Sequence, residues 1–201
     1  MKTQHLLLAC LIVAAACADA QDYTRLEFSV AGDRITATGV IDRTSLDTFL
    51  ETIDGHPEIR TLVLKNIGGS ADDEANVAFS RVINEMGMTT LVPSDGLVAS
   101  GGTDLFLAGT TRILEPGACV GVHAWAADDF TATDISRRSS EHDRYLDYYN
   151  DINIDPAFYW FTIEAAPAAE MHWMTSAEVD QYGVATSSVG SLSSASTCDS
   201  R

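Results

Sequence analysis

The chain of 201 residues carries 29 acidic against 12 basic side chains, a net charge of −17, and 46% of its residues are hydrophobic. That length suffices for one domain with a sizeable core. The charge argues against partners that demand a basic patch, nucleic acid and anionic membrane surfaces among them.

Lys2, an apolar run from Leu6 to Cys17 and the small-x-small sequence Ala18-Asp19-Ala20 read as a secretory signal peptide spanning residues 1–20. Cleavage near Ala20 predicts a periplasmic or secreted mature chain. A lipoprotein anchored at Cys17 is the alternative, although Ala14-Ala15-Ala16 lacks the large aliphatic residue of that motif. Cleavage removes Cys10 and Cys17. Cys119 and Cys198 remain, and in an oxidising compartment they either pair or persist as two thiols, because spacing alone cannot show proximity.

Leu26 to Val30 and Arg34 to Ile41 alternate apolar and polar residues around Ala31-Gly32-Asp33 and predict a hairpin. Thr44-Ser45-Leu46 opens a helix that ends near Gly55. Thr61 to Leu64 is a continuous apolar run suited to a buried parallel strand. It leads through Gly68-Gly69-Ser70 into a helix whose apolar face carries Ala75, Ala78, Phe79, Val82 and Ile83. The same order recurs in the strand Thr89 to Pro93, the turn Gly96 to Gly102 and a helix over Thr103 to Gly109. Arg112 to Leu114 and Ala118 to Ala124 predict two more strands. The series implies an α/β fold with a mostly parallel sheet. Thr131 to Asn150, polar with interleaved Tyr145, Leu146, Tyr148 and Tyr149, predicts a long, exposed or partner-facing helix. Another helix starts at Asp155-Pro156, and a short one carries the capping box Thr175-Ser176-Ala177-Glu178. The domain spans residues 21–186, and the Ser-rich tail, 187–201, is expected to be disordered unless Cys198 pins it.

Ser100 stands at a strand-to-helix turn among small residues, the placement an acyl-transfer nucleophile needs. The plainer reading makes it the cap of the following helix. His123 ends a strand that runs the same way, so a Ser–His hydrogen bond is possible at one sheet edge. The Gly68-Gly69 turn reaches that edge too, and its amides with that of Gly101 can form an oxyanion hole. His142, on the polar stretch, reads as solvated surface. His172 has no partner in sequence. The acidic pairs lack the spacing of a calcium loop. No metal or cofactor motif is visible.

These segments resemble the Clp-type serine peptidases of the ClpP/crotonase superfamily: Gly68-Gly69-Ser70 before a helix, Gly96-Leu97-Val98-Ala99-Ser100-Gly101-Gly102, Pro116 leading to Val122-His123, Ala132-Thr133-Asp134-Ile135, and Met174 to Glu178 leading to Tyr182-Gly183-Val184. The resemblance spans roughly Leu62 to Ala185. It implies a spiral of ββα units with a protruding handle helix, a nucleophile at Ser100, a base at His123, and oxyanion amides at Gly69 (or Gly68) and Gly101. The handle, Thr131 to Asn150, would serve homo-oligomer contacts. The family's third catalytic residue, an aspartate, falls at Met171, which cannot orient an imidazole. Glu170 is the nearest substitute, Asp128 and Asp129 are others, and a Ser–His dyad is the remaining option. A serine–lysine dyad would require Lys65, the single lysine after the leader, which reads as a solvated strand end. The crotonase branch, which acts on coenzyme A thioesters, would need basic residues for the phosphates, and this chain has few. The expectation is an exported serine-type endopeptidase or related hydrolase acting on peptides or unfolded protein, with no cofactor and no ATP-driven unfoldase. Its counterpart is a degenerate member of the fold that binds or assembles without cutting.

Overall fold

A computed structural model describes residues 23–201, so the leader and both readings of it lie outside the described residues. The chain opens with the hairpin β1 (Glu27–Ala31) and β2 (Arg34–Thr38), antiparallel with Val30 opposite Ile35. Helix α1 (Ser45–Asp54) returns the chain to β3 (Thr61–Ile67), which lies parallel to β2. Helix α2 (Asp73–Glu85) follows, its first turn closed by the Asp72 side chain accepting from the Ala75 amide at 3.0 Å. Phe28, Phe49 and Phe79 from β1, α1 and α2 meet with ring centroids 5.3–6.2 Å apart and fill the centre of this half.

β3 pairs twice, and this positions the site. Its first half, Thr61 to Val63, pairs with β4 (Thr89–Val92), which pairs in turn with β6 (Thr111–Leu114). Its second half, Asn66-Ile67, pairs with β5 (Leu97–Ala99), which pairs with β7 (Cys119–Val122). All of these pairings are parallel, and β8 (His172–Trp173) closes the β7 side antiparallel. The turn read from Gly96 to Gly102 therefore contains its own strand, β5, which delivers the chain to Ser100 and α3 (Gly101–Leu107).

The long helix expected over residues 131–150 is not formed. Thr131 bridges Ala126, the 3-10 turn α4 (Ser140–His142) follows irregular chain, and helix α5 spans only Asp143–Asp151. The cause is local competition for backbone groups. The Asp134 carboxylate accepts from the Thr131 amide at 2.8 Å, and Ser139 Oγ accepts from the Glu141 amide at 3.4 Å. Tyr145, Tyr148 and Tyr149 are buried rather than offered to a partner.

Helix α6 (Pro156–Ala165) is nearly all apolar and packs Phe158, Tyr159 and Ile163 into the core. The capping box closes helix α7 (Ser176–Gln181). The Ser-rich tail is ordered against the β7 edge and ends in the single turn α8 (Ala195–Cys198). The Gly117 amide donates to the Ser191 carbonyl at 2.8 Å, Arg201 reaches the Gly96 carbonyl at 2.9 Å, and Cys198 forms a disulfide with Cys119. Among the described residues no helix is long and apolar enough to cross a membrane.

Candidate active site

β5 and β7 run parallel with Ala99 opposite Gly121, so Ser100 and His123 leave the same edge of the sheet. Ser100 has φ 53° and ψ −128°, a conformation that non-glycine residues rarely adopt and that costs about 1–3 kcal/mol. Surrounding contacts enforce it. The Ser100 amide donates to the Gly121 carbonyl at 3.0 Å, and its own carbonyl takes the Thr103 amide at 2.8 Å. Thr103 Oγ1 also donates to Gly121 at 2.8 Å, tying the start of α3 to β7.

Gly69, with φ 153°, lies directly against the serine, and a Cβ built there would sit 3.4 Å from Ser100 Cβ. Gly101 is packed still more tightly, because a Cβ there would come within 2.4 Å of Ser70 Oγ. Asn76 holds this junction by donating to the Gly101 carbonyl at 3.1 Å. The Ser100 amide is occupied by β7, whereas those of Gly69 and Gly101 find no hydrogen-bond partner among the described residues.

Ser100 and His123 share a cavity of about 320 Å³. Burial holds the His123 imidazole below its ordinary pKa, opposed by the nearby carbonyls of Ala168 and Ala124 and by the charge of Asp73. Its Nδ1 is buried and makes no hydrogen bond. No hydrogen bond joins His123 to Ser100 in this arrangement.

The opposite wall comes from α2, α3, α5 and α6. Tyr145 donates to Asp73 Oδ2 at 2.6 Å, and Ser70 Oγ donates to Asp73 Oδ1 at 2.7 Å. Tyr149 donates to Asp104 Oδ1 at 2.6 Å. Enclosure drives the Asp104 carboxyl up to about 7, with Asp73 adding to the rise and Tyr149 opposing it. Trp125, Tyr145 and Tyr159 stack in sequence, with centroids 6.1 and 5.5 Å apart and planes inclined by 19° and 12°. Burial raises the Tyr159 phenol to about 12.

A scan against protein-family models finds no match, and neither does a search of curated proteins. Solved structures do match. An enoyl-CoA hydratase/isomerase from Marinobacter aquaeolei superposes with a TM-score of 0.52 at 13% identity, covering 87% of this chain and 73% of its own. An enoyl-CoA hydratase/isomerase family protein from Silicibacter pomeroyi gives 0.50 at 11% identity, covering 82% and 74%. A membrane-bound stomatin-specific protease in complex with a substrate peptide gives 0.49 at 14%, covering 80% and 74%. The chain has the ClpP/crotonase fold. Identity this low establishes the fold alone.

Within that fold, the sequence-derived residues divide. Ser100, Gly101 and His123 line the cavity, and Gly69 backs the serine. Gly68 is exposed. Glu170 is also exposed, on the turn after α6, and it does not line the cavity; nor do Asp128 and Asp129. Met171, at the position where the resemblance expects an aspartate, instead packs on Gly121 and joins the small cluster around Cys119 and Cys198. Lys65 pairs with Asp95, away from the cavity. His142 is fully buried between Ser136 and Tyr159, contrary to the surface placement expected of it. His172 pairs with Glu178 at 3.0 Å. The wall residues Asp73, Asp104, Tyr145, Tyr149 and Tyr159 carried no motif that marks them. Among the described residues no group of His, Cys, Asp and Glu is arranged to hold a metal ion.

Proposed function

We propose that the protein is an exported, ATP-independent serine hydrolase that cleaves peptide bonds through an acyl-enzyme on Ser100. The observation that carries this reading is the strained φ of Ser100 at the β5–α3 junction, in one cavity with His123 and against Gly69. Strain of this kind persists where a side chain must be aimed.

In the proposed reaction His123 Nε2 takes the Ser100 proton as Oγ attacks the carbonyl carbon. The unbonded amides of Gly69 and Gly101 stabilise the resulting oxyanion. The imidazolium then gives its proton to the leaving amine, and water, deprotonated by the same nitrogen, resolves the ester. Because burial depresses the His123 pKa, the ring is neutral and available as a base at neutral pH. With no carboxylate on its Nδ1, the imidazolium goes unsupported, and a rate about 10⁴ below that of a full triad is expected. Export is supported by the leader sequence and by the Cys119–Cys198 disulfide, a bond favoured in oxidising compartments.

A fluorophosphonate probe tests the nucleophile. The wild-type chain should be labelled and Ser100→Ala should not. Equal labelling of the two, or of neither, removes the hydrolase reading and leaves a protein that binds peptide without cutting it.

A further inference from the structure

We infer that the cavity beside Ser100 is a receptor for the cationic head of a lysine or arginine side chain, and that this head group selects the peptide. The selection of a cleavage position rests on the hydrolase reading; the binding of the cation does not.

The cavity lining holds two carboxylates, Asp73 and Asp104, and neither lysine nor arginine. His123 adds no positive charge at neutral pH, because burial favours its neutral form. Asp104 is the telling group. Tyr149 donates to Oδ1, whereas Oδ2 has no donor among the described residues and is left open to the cavity that the half-buried Asp104 lines. A carboxylate oxygen that faces a cavity lined by no cation is best met by an occupant that brings N–H groups and positive charge. Asp73 is held in place by Ser70 and Tyr145 and keeps lone pairs for a second donor.

The alternatives fit less well. An anion, including the phosphates of a coenzyme A thioester, would face two carboxylates and no cation. An apolar side chain would leave Oδ2 unpaired. A volume of about 320 Å³ stands at the small end of ligand cavities and suits one long side chain better than a whole cofactor. Trp125, Tyr145 and Tyr159 line the cavity and supply apolar surface for the alkyl stem. Burial, with Asp73 adding to it, raises the Asp104 carboxyl to about 7, and a bound cation would favour its ionised form.

The test measures binding without cleavage. Ser100→Ala protein is titrated by calorimetry with acetyl-Ala-Lys-Ala-amide, its arginine counterpart, and the norleucine peptide, which keeps the four-carbon stem and lacks the ammonium. The lysine or arginine peptide should bind about tenfold or more tightly than the norleucine peptide. Asp104→Asn, which keeps an acceptor for Tyr149, should remove that preference and bring the lysine and norleucine affinities together. A thermal melt shows whether this variant is folded, and the lysine–norleucine ratio in the Ser100→Ala parent decides without it. Equal affinity for the three peptides overturns the inference even if phosphonate labels Ser100. A lysine preference without labelling upholds the inference and removes the hydrolase reading.

Discussion

The two walls of the cavity are built by opposite means. The nucleophile wall is backbone: β5, β7 and the turns at Gly69 and Gly101 approach so closely that side chains are excluded, and Ser100 is aimed by main-chain bonds to Gly121 and Thr103. The far wall is side chain: Tyr145 of α5 and Tyr159 of α6 stack in sequence on Trp125, and Tyr145 and Tyr149 of α5 donate to aspartates of α2 and α3. A wall made of backbone is sensitive to an added methyl group. A wall made of charges and phenols is sensitive to pH and to the loss of a single oxygen. Chemistry is thereby separated from selection, and each can be perturbed alone.

The largest expected effect falls on the support of the nucleophile wall. The Cys119–Cys198 disulfide closes a separation of 79 residues and ties the tail to the strand that leads to His123. Closing a loop of that length limits the unfolded chain, and its loss costs about 4 kcal/mol. Cys198→Ser should therefore lower the urea midpoint of the wild-type chain to that of the reduced protein. A variant as stable as the oxidised wild type would mean that the tail's hydrogen bonds suffice, and the β7 edge would be self-supporting.

Next in size is Gly69→Ala. The methyl group stands in ordinary contact with Ser100, so the loss comes from backbone that an L-residue rarely adopts at φ 153°. Relaxation would displace the Gly69 amide from the serine. Phosphonate labelling should fall about a hundredfold, the scale on which one oxyanion donor acts. The lysine–norleucine ratio should stay as it is. If that ratio changes as well, the two walls are not independent.

What could be read from the chain follows the same division. The backbone wall leaves local marks: glycines beside Ser100, a short apolar strand before it, and the same layout at Gly68-Gly69. Those marks, with the strand that ends at His123, put Ser100 and His123 at one sheet edge, and the recurring strand–turn–helix order carries the fold class. The far wall leaves none. Tyr145 meets Asp73 across 72 residues and Tyr149 meets Asp104 across 45, pairs that packing alone brings together. Reading residues 131–150 as a helix on the strength of its polar character failed for a related reason. Asp134, Ser136 and Ser139 accept from neighbouring amides, while Tyr145, Tyr148 and Tyr149 turn inward. His142 was misplaced along with them. The disulfide lay between: two cysteines were visible, their proximity was not.

The smallest effect, and the one that isolates the far wall, is the pH dependence of Asp104→Asn. The folded chain holds Asp104 up to about 7 from an ordinary 3.8, through burial first and the neighbouring Asp73 second. A carboxyl raised in this way favours folding while protonated. Its contribution is fully present below the ordinary carboxyl range and is lost as pH rises through about 7. Asparagine imitates the protonated acid and does not ionise. The variant and the wild type should therefore melt alike near pH 4, and the variant should be the more stable at pH 8, by roughly 2 kcal/mol after allowance for solvent in the cavity. Saturating lysine peptide should narrow that gap, because it stabilises the ionised wild type and has little hold on the variant. Parallel stability curves from pH 4 to 8 would show that Asp104 does not carry the buried charge of this wall, and Asp73 would then be the group to replace. The same substitution that stabilises the fold at neutral pH should remove its choice of ligand, the trade expected when an acid with a raised pKa is kept for binding.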